Sequence, residues 1–235
     1  MNNARDAILA QLAQANPQLP QSTAQTPLPG LARLADTDAT PTDRLTAALE
    51  RIGATWELTD SPVSARLLLA TALQADNVTR VLTWDEAHLP SPGLLDTLNV
   101  LGIETMIPDL RAAPLRLRPQ DLDSRGDLLQ AAAGVEVGVV AAEVGFADTG
   151  ALAVRGGAGR PLLSAFLPRR VVVLLPVSQI FPSVSRWLAR KNPLRNDAVL
   201  TFLSGPSQSL DLELIRAAGI HGPRLVHVVL IGGSA

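Results

Sequence analysis

Residues 80–107 read RVLTWDEAHLPSPGLLDTLNVLGIETMI, and this stretch decides the fold class. It opens on Arg80–Trp84, a short run built on Val81 and Leu82, and closes on Glu104–Ile107, a second apolar run. Between them Pro92–Leu101, which follows Ser91, spaces its leucines as a helix does. A helix returns the chain to the end of the sheet where the first strand began, so strand, helix and strand in this order predict a parallel pair.

The same alternation extends in both directions. Upstream, Thr40 reads as the cap of a helix from Pro41 to about Ile52, which Gly53 stops. Ala54–Leu58 then suits a strand and Pro62–Ala75 a helix. Downstream, Leu110–Gln120 breaks the rhythm with prolines and arginines, and Gly126–Ala133 resumes it as a helix. Val135–Val140, Val144–Ala147 and Ala151–Val154 read as strands, the last two an antiparallel pair about the turn Asp148–Gly150. Val171–Leu175, five apolar residues in a row before Pro176, is the strongest strand signal. Val184–Arg190 reads as a helix, and Ala198–Leu203 and Val226–Ile231 as strands.

Leu210–Leu214 fits two readings. Leu210, Leu212 and Leu214 alternate as in a strand, while Leu210, Leu214 and Ala217 or Ala218 mark one helical face. We favour the helix, because Gly205-Pro206-Ser207 and Gly219 supply start and stop signals. The expectation is an α/β domain over 41–235, a mainly parallel sheet flanked by helices. A segment over 1–40 precedes it: a short helical arm, Ala4–Ala15, and a flexible linker rich in Gln, Pro, Ser and Thr.

Composition bounds the chemistry. The chain has 235 residues, 47% hydrophobic, enough for one sizeable core. Aromatics are only 3% and the formal charge is −2, so neither stacking platforms nor a basic balance points to nucleic acid. There is no cysteine, so thiolate catalysis, disulfides and Cys-ligated iron–sulfur clusters are outside its reach. Lys191 is the only lysine, which leaves one candidate for Schiff-base chemistry. No stretch is long and apolar enough to span a membrane, and the first residues lack a signal-peptide core, so a soluble cytoplasmic location is expected.

Four features carry candidate chemistry. Ser204-Gly205-Pro206-Ser207-Gln208-Ser209 follows a strand, where α/β sheets bind ligands, and would lead into helix amides that suit an anion. Ser207 or Ser209 equally suits a helix cap. Glu143 stands among apolar strand residues, which requires a partner or an edge position. Near it, Asp148, Thr149 and Gly150 serve either a ligand or the turn alone.

Between Arg155 and Arg195 every charged residue is basic, with Arg160 beside Gly156-Gly157-Ala158-Gly159. That excess implies an anionic ligand or an acidic partner surface, or it is balanced by acids elsewhere. Last, His221 lies between glycines and His227 opens a strand. His227 reads as a hydrogen-bonded structural residue, His88 as a loop residue, and no metal site is expected.

Thr201-Phe202-Leu203-Ser204-Gly205-Pro206-Ser207, Asp211-Leu212-Glu213, Gly219-Ile220-His221-Gly222-Pro223 and His227-Val228-Val229-Leu230 resemble the signature of the lactate utilisation protein C family, built on the LUD domain. Phe146-Ala147-Asp148-Thr149-Gly150 resembles its second motif. The resemblance implies a NagB/RpiA/CoA-transferase-like fold. It also implies a place in a system that oxidises L-lactate with an iron–sulfur partner and other subunits. The fold's relatives handle phosphate, coenzyme A or folate compounds.

Carried over by position, the polar set is Asp148, Thr149, Ser204, Gly205, Ser207, Asp211, Glu213 and His221. Gln208 stands where the family often has Arg, Ala151 where it commonly has Thr, and Arg169–Arg170 where it frequently has His. The expected anion-binding set is Asp148, Thr149, Gly150, Ser204, Gly205, Ser207 and Arg160, with Asp211, Glu213 and His221 as acid–base candidates. The chain is expected to be an accessory or regulatory subunit holding no cofactor alone. The alternative is an enzyme or sensor for an anionic small molecule.

Overall fold

The computed structural model describes residues 6–8, 10–11, 39–109, 119–190, 199–210, 216–219 and 221–233. The chain divides into Met1–Thr37 and Asp38–Ala235. In the first unit, 6–8 and 10–11 are helical. The rest of that unit, including the linker expectation, lies outside the described residues.

In the second unit, α1 (Pro41–Arg51) begins with a capping box: Asp43 N–H donates to Thr40 Oγ1 at 3.1 Å, and Thr40 N–H to the Asp43 carboxylate at 3.1 Å. That pair satisfies amides the first helical turn would otherwise leave bare. Its buried face is Leu45, Ala48 and Leu49. Then come β1 (Thr55–Thr59), α2 (Pro62–Ala75), β2 (Arg80–Leu82), α3 (Leu94–Val100), β3 (Glu104–Met106), α4 (Pro119–Ala133) and β4 (Val137–Ala141).

The cap of α3 is not Ser91. The Ser91 hydroxyl donates to Pro62 O, and the Glu86 carboxylate instead receives the Leu94 and Leu95 amides at 3.0 and 3.1 Å. A carboxylate reaching from the preceding loop satisfies two amides at once, which a serine hydroxyl cannot.

The chain continues through β5 (Val144–Phe146), β6 (Leu152–Gly156), α5 (Leu163–Phe166), β7 (Arg170–Pro176), β8 (Ile180–Phe181), α6 (Val184–Arg190), β9 (Val199–Leu203), β10 (Gln208–Leu210), β11 (Arg216–Ala218) and β12 (Leu225–Ile231). The main sheet has the order β1-β12-β7-β4-β2-β3, and every neighbouring pair is parallel. A second sheet, β8-β5-β6-β9, holds the antiparallel β5–β6 pair expected about Asp148–Gly150. The main core is aliphatic: Val171–Leu175 and Val228–Ile231 are buried on both faces of the sheet. A smaller cluster holds the second sheet, where Phe146 meets Trp187 edge-on, with ring centroids 5.7 Å apart.

The helix expected from Leu210 is not what the described ends of the segment adopt: Gln208–Leu210 and Arg216–Ala218 are strands. β10 and β11 pair antiparallel, Gln208 opposite Ala218 and Leu210 opposite Arg216. The turn read as a helix start closes a loop instead. Ser207 N–H donates to Pro223 O at 2.7 Å, Gly219 N–H donates to Ser207 O at 2.8 Å, and the Ser207 hydroxyl donates to His221 O. The period-two alternation of leucines was the signal that agreed with the backbone at both ends of the segment. Residues 211–215, with Asp211 and Glu213, lie outside the described residues, as do 110–118 and 191–198.

Candidate functional site

All strands of the main sheet run the same way, so the loops after them gather at one edge. Trp84 and His88 follow β2, Ala142 and Glu143 follow β4, and Gln179 and Phe181 follow β7. They line two adjoining hollows of about 350 and 280 Å³, which share His88, Ala141, Ala142 and Glu143. Trp187 closes the larger hollow, and Trp84, Arg155 and Arg160 the smaller.

The position of Glu143 follows from the chain path. Ala142-Glu143 is the joint between the two sheets: Ala142 N–H donates to Leu174 O of β7 at 3.0 Å, and Glu143 N–H to Ala153 O of β6 at 2.8 Å. Its carboxylate accepts from Arg155 Nε, a guanidinium only 8% exposed on β6. The acid read as needing a partner thus has one, and the pair is desolvated on the arginine side.

Arg160 comes from the turn after β6. Gly157 and Arg160 bond to each other through backbone, and Gly159 O accepts from Asp85 N–H at 2.8 Å. Gly159 has φ +68°, a conformation that strains residues with a Cβ, and the Asp85 carboxylate packs against it where the turn docks on the loop after β2. The docking sets Arg160 at the mouth of the smaller hollow. Its Nε is buried without a hydrogen-bond partner among the described residues. Trp84 is fixed in the wall by its Nε1–H, which donates to Pro161 O at 3.1 Å. The basic excess of the sequence is partly balanced in space: Arg155 faces Glu143 and Arg170 faces Asp76.

The motif loops gather elsewhere, around the carboxyl end of α1 and the starts of β1, β7 and β12. Arg51 Nη2 donates to Asp148 O at 3.0 Å, and Ala151 N–H to Thr149 Oγ1 at 3.3 Å. Asp148 Oδ1 is buried with no hydrogen-bond partner among the described residues. A Cβ on Gly150 would stand 2.9 Å from the Ala48 carbonyl. Gly205 has φ +80°, and its Cβ would stand 2.6 Å from Ile52 O. These two loops do come together, but on helix backbone. Ser204 and His221 are exposed, and Ser207 is engaged as described above.

Among the described residues after Ser204, Gln208–Leu210 is a strand and not the expected helix start. Of the expected anion-binding set, Arg160 alone lines the hollows at the other edge.

His227 is structural in its contacts: its Nδ1 lies 2.9 Å from Thr55 Oγ1. Burial holds its imidazole below the ordinary value, Glu57 opposes that, and Arg170 adds to it. No cluster of three or more His, Asp or Glu suited to a metal occurs among the described residues. None of their helices is long and apolar enough to cross a membrane. Sequence reasoning passed over Trp84 and His88, although their place just after β2 was a readable signal.

Residues 42–231 match the family described as the LUD domain. The chain is 30% identical over 172 residues to a lactate utilization protein C of Deinococcus radiodurans, covering 72% of this chain and 70% of that one. It is 24% identical over 164 residues to a lactate utilization protein C of Halalkalibacterium halodurans, covering 67% of this chain and 65%, under two thirds, of that one. A crystal structure of a DUF162 family protein from Deinococcus radiodurans superposes with a TM-score of 0.55 at 19% identity, over 82% of this chain and 96% of that one. That likeness concerns the fold: an α/β architecture with a mostly parallel sheet.

Proposed function

The chain belongs to the LUD domain family, among the lactate utilization protein C relatives, and from that premise we propose that it is a non-redox component of a system that oxidises L-lactate. In this reading it is an accessory or regulatory subunit that works beside an iron–sulfur subunit and the other subunits of that system. One observation carries it. The two relatives described above are both lactate utilization protein C, while this chain has no cysteine with which to hold an electron-relay cluster. Electrons then travel through a partner, and this chain contributes recognition or docking. A NagB/RpiA/CoA-transferase-like description of the domain belongs to the same reading, supported by the helix-flanked parallel sheet.

The motif loops act as scaffold here. Gly150 and Gly205 let two turns rest on α1, and Ser207 ties the β10–β11 hairpin to the segment before β12.

Purification of the tagged full chain under reducing, anaerobic conditions, from a host carrying the system, tests the proposal. An iron–sulfur protein should be recovered in stoichiometric amount. Recovery of the chain alone overturns it.

A second reading, an enzyme or sensor for an anionic small molecule, is favoured by the smaller carboxyl-edge hollow, which Arg160 lines. Binding with turnover identifies the enzyme, and binding without it the sensor.

A further inference from the structure

The two hollows differ in charge. Arg155 and Arg160 line the smaller one and not the larger. Apart from Glu143, no acid, arginine or lysine of the described residues lines the larger hollow. Glu143 is itself ion-paired with Arg155, which stands on the smaller side. An anion in the larger hollow would meet a carboxylate and no guanidinium or ammonium. A cation would compete with Arg155 for that carboxylate. The space is therefore set for an uncharged guest.

Its polar groups are few. The Glu143 carboxylate accepts hydrogen bonds only, and with Arg155 on one oxygen the side chain is still 33% exposed. The Gln179 amide and the His88 imidazole have no hydrogen-bond partner among the described residues. The rest of the wall is apolar, with Pro90, Pro176 and Phe181 half-buried along it. Three polar groups among apolar walls suit a flat ring whose hydrogen bonds lie along one edge. A sugar carries a hydroxyl on nearly every carbon, and most of those would lose water without gaining a partner. The neighbouring N–H groups of guanine give a carboxylate two donors, and the adjacent ring carbonyl can accept from an amide. Adenine offers one donor and turns a ring-nitrogen lone pair toward the acid, so it leaves an acceptor unpaired. A volume of about 350 Å³ lies at the lower end of small-molecule sites.

We propose that the larger hollow binds an uncharged, nucleobase-like heterocycle with neighbouring N–H donors, of which guanine is the type. The N–H edge lies on Glu143, the ring carbonyl accepts from the Gln179 amide, and the ring sits among Pro90, Pro176 and Phe181. The walls are set beforehand. Ala147 N–H donates to Phe181 O at 2.9 Å, and Glu143 N–H to Ala153 O at 2.8 Å. The Glu86 carboxylate ties the loop that carries His88 and Pro90 to the first amides of α3. Little ordering is then needed on binding. The inference goes beyond both readings above, because it concerns the isolated chain, the larger hollow and a neutral ligand. Partner recovery decides the first reading and anion binding the second, and neither result decides this one.

Isothermal titration calorimetry of the full chain with guanosine, inosine, adenosine and glucose tests it. Guanosine should bind saturably and at least about tenfold tighter than adenosine, with inosine, which keeps one of the two N–H donors, between them. Glu143→Gln turns an acceptor into a donor, so it should narrow the preference for guanosine over adenosine by about tenfold. A loss of packing alone would weaken both nucleosides alike. Gln179→Leu keeps the size and removes the amide, so it should weaken guanosine by about threefold or more, and it carries the test if the Glu143 variant fails to fold. The proposal is overturned by no saturable guanosine binding up to its solubility limit, by adenosine or glucose binding as tightly, or by a folded Glu143 or Gln179 variant with the parent's affinity and preference.

Discussion

At the amino-terminal edge of the main sheet the motif loops are turned onto protein, whereas at the carboxyl-terminal edge Glu143, Arg155 and Arg160 are turned onto a hollow. Both edges use glycine-rich turns. At one, Gly205 admits a helix carbonyl; at the other, Gly159 admits a loop that shapes a cavity. The same residue type thus serves cohesion in one place and access in the other. A glycine in a loop does not say which until its neighbour is known. The contrast makes opposite demands on substitutions: changes at the first edge should register as stability, and changes at the second as binding.

The largest effect belongs to Gly205→Val. A β-branched residue held at φ +80°, with its Cβ 2.6 Å from Ile52 O, is strained and overpacked. Each of those effects costs about 1–3 kcal/mol, and for a unit of this size the midpoint falls by roughly 2–4 °C per kcal/mol. Thermal denaturation should therefore show a drop of about 4–24 °C, while Arg160→Gln, which removes a buried donor without a partner among the described residues, should show no loss. Equal losses for the two variants would erase the distinction between the edges.

Glu143→Ala comes next, and it sharpens the contrast because Glu143 belongs to both cohesion and access. Removing the carboxylate takes an ion-pair partner from an arginine that is 8% exposed. Breaking a fully buried pair costs about 3–5 kcal/mol. The Glu143 side chain is 33% exposed, so a smaller loss, about 1–3 kcal/mol, is expected in urea denaturation. Glu143→Gln keeps an acceptor for Arg155 Nε and should lose less. If the alanine variant is as stable as the parent, the pair is not what holds the joint between the sheets.

The fold was legible because its signals were local and repeated. Thr40-Pro41, Ser61-Pro62 and the runs Val171–Leu175 and Val226–Ile231 each announce an element through its own residues. The β10–β11 hairpin was misread because its turn chemistry, Gly205-Pro206-Ser207, suits a helix start as well as a loop closure. The choice was made by non-local bonds from Ser207 to Pro223, Gly219 and His221. The candidate site was legible only in fragments. Glu143 was conspicuous as an acid among apolar residues, and Arg160 through the basic excess. Their meeting with Trp84 and His88 depends on strand order, β7-β4-β2, which no spacing along the chain reveals.

A smaller effect attaches to Thr40→Ala. It removes the hydroxyl that receives Asp43 N–H, and loss of such a cap costs about 1 kcal/mol. Because α1 carries the turns at Gly150 and Gly205 on its far end, the loss should appear as faster hydrogen exchange at the amino-terminal edge. Affinity at the hollow should be unchanged. Equally faster exchange at the Ala142 and Glu143 amides, which line the hollow, would couple the two edges.

The smallest expected effect is set by pH and also separates the edges. His227 is half-buried on β12 opposite Thr55, and burial keeps its folded value below the ordinary 6.5, with Arg170 adding and Glu57 opposing. The unfolded chain therefore takes up a proton on His227 more readily than the folded chain does. Its contribution to stability is whole above about pH 6.5 and declines as the pH falls through that value toward the lowered one. Thermal midpoints measured downward from pH 7.5 should fall, and His227→Gln, which cannot take up that proton, should flatten the part of the fall attached to this residue. A glutamine variant with the parent's full pH slope would mean that the neutral imidazole contributes nothing to holding β1 and β12 together.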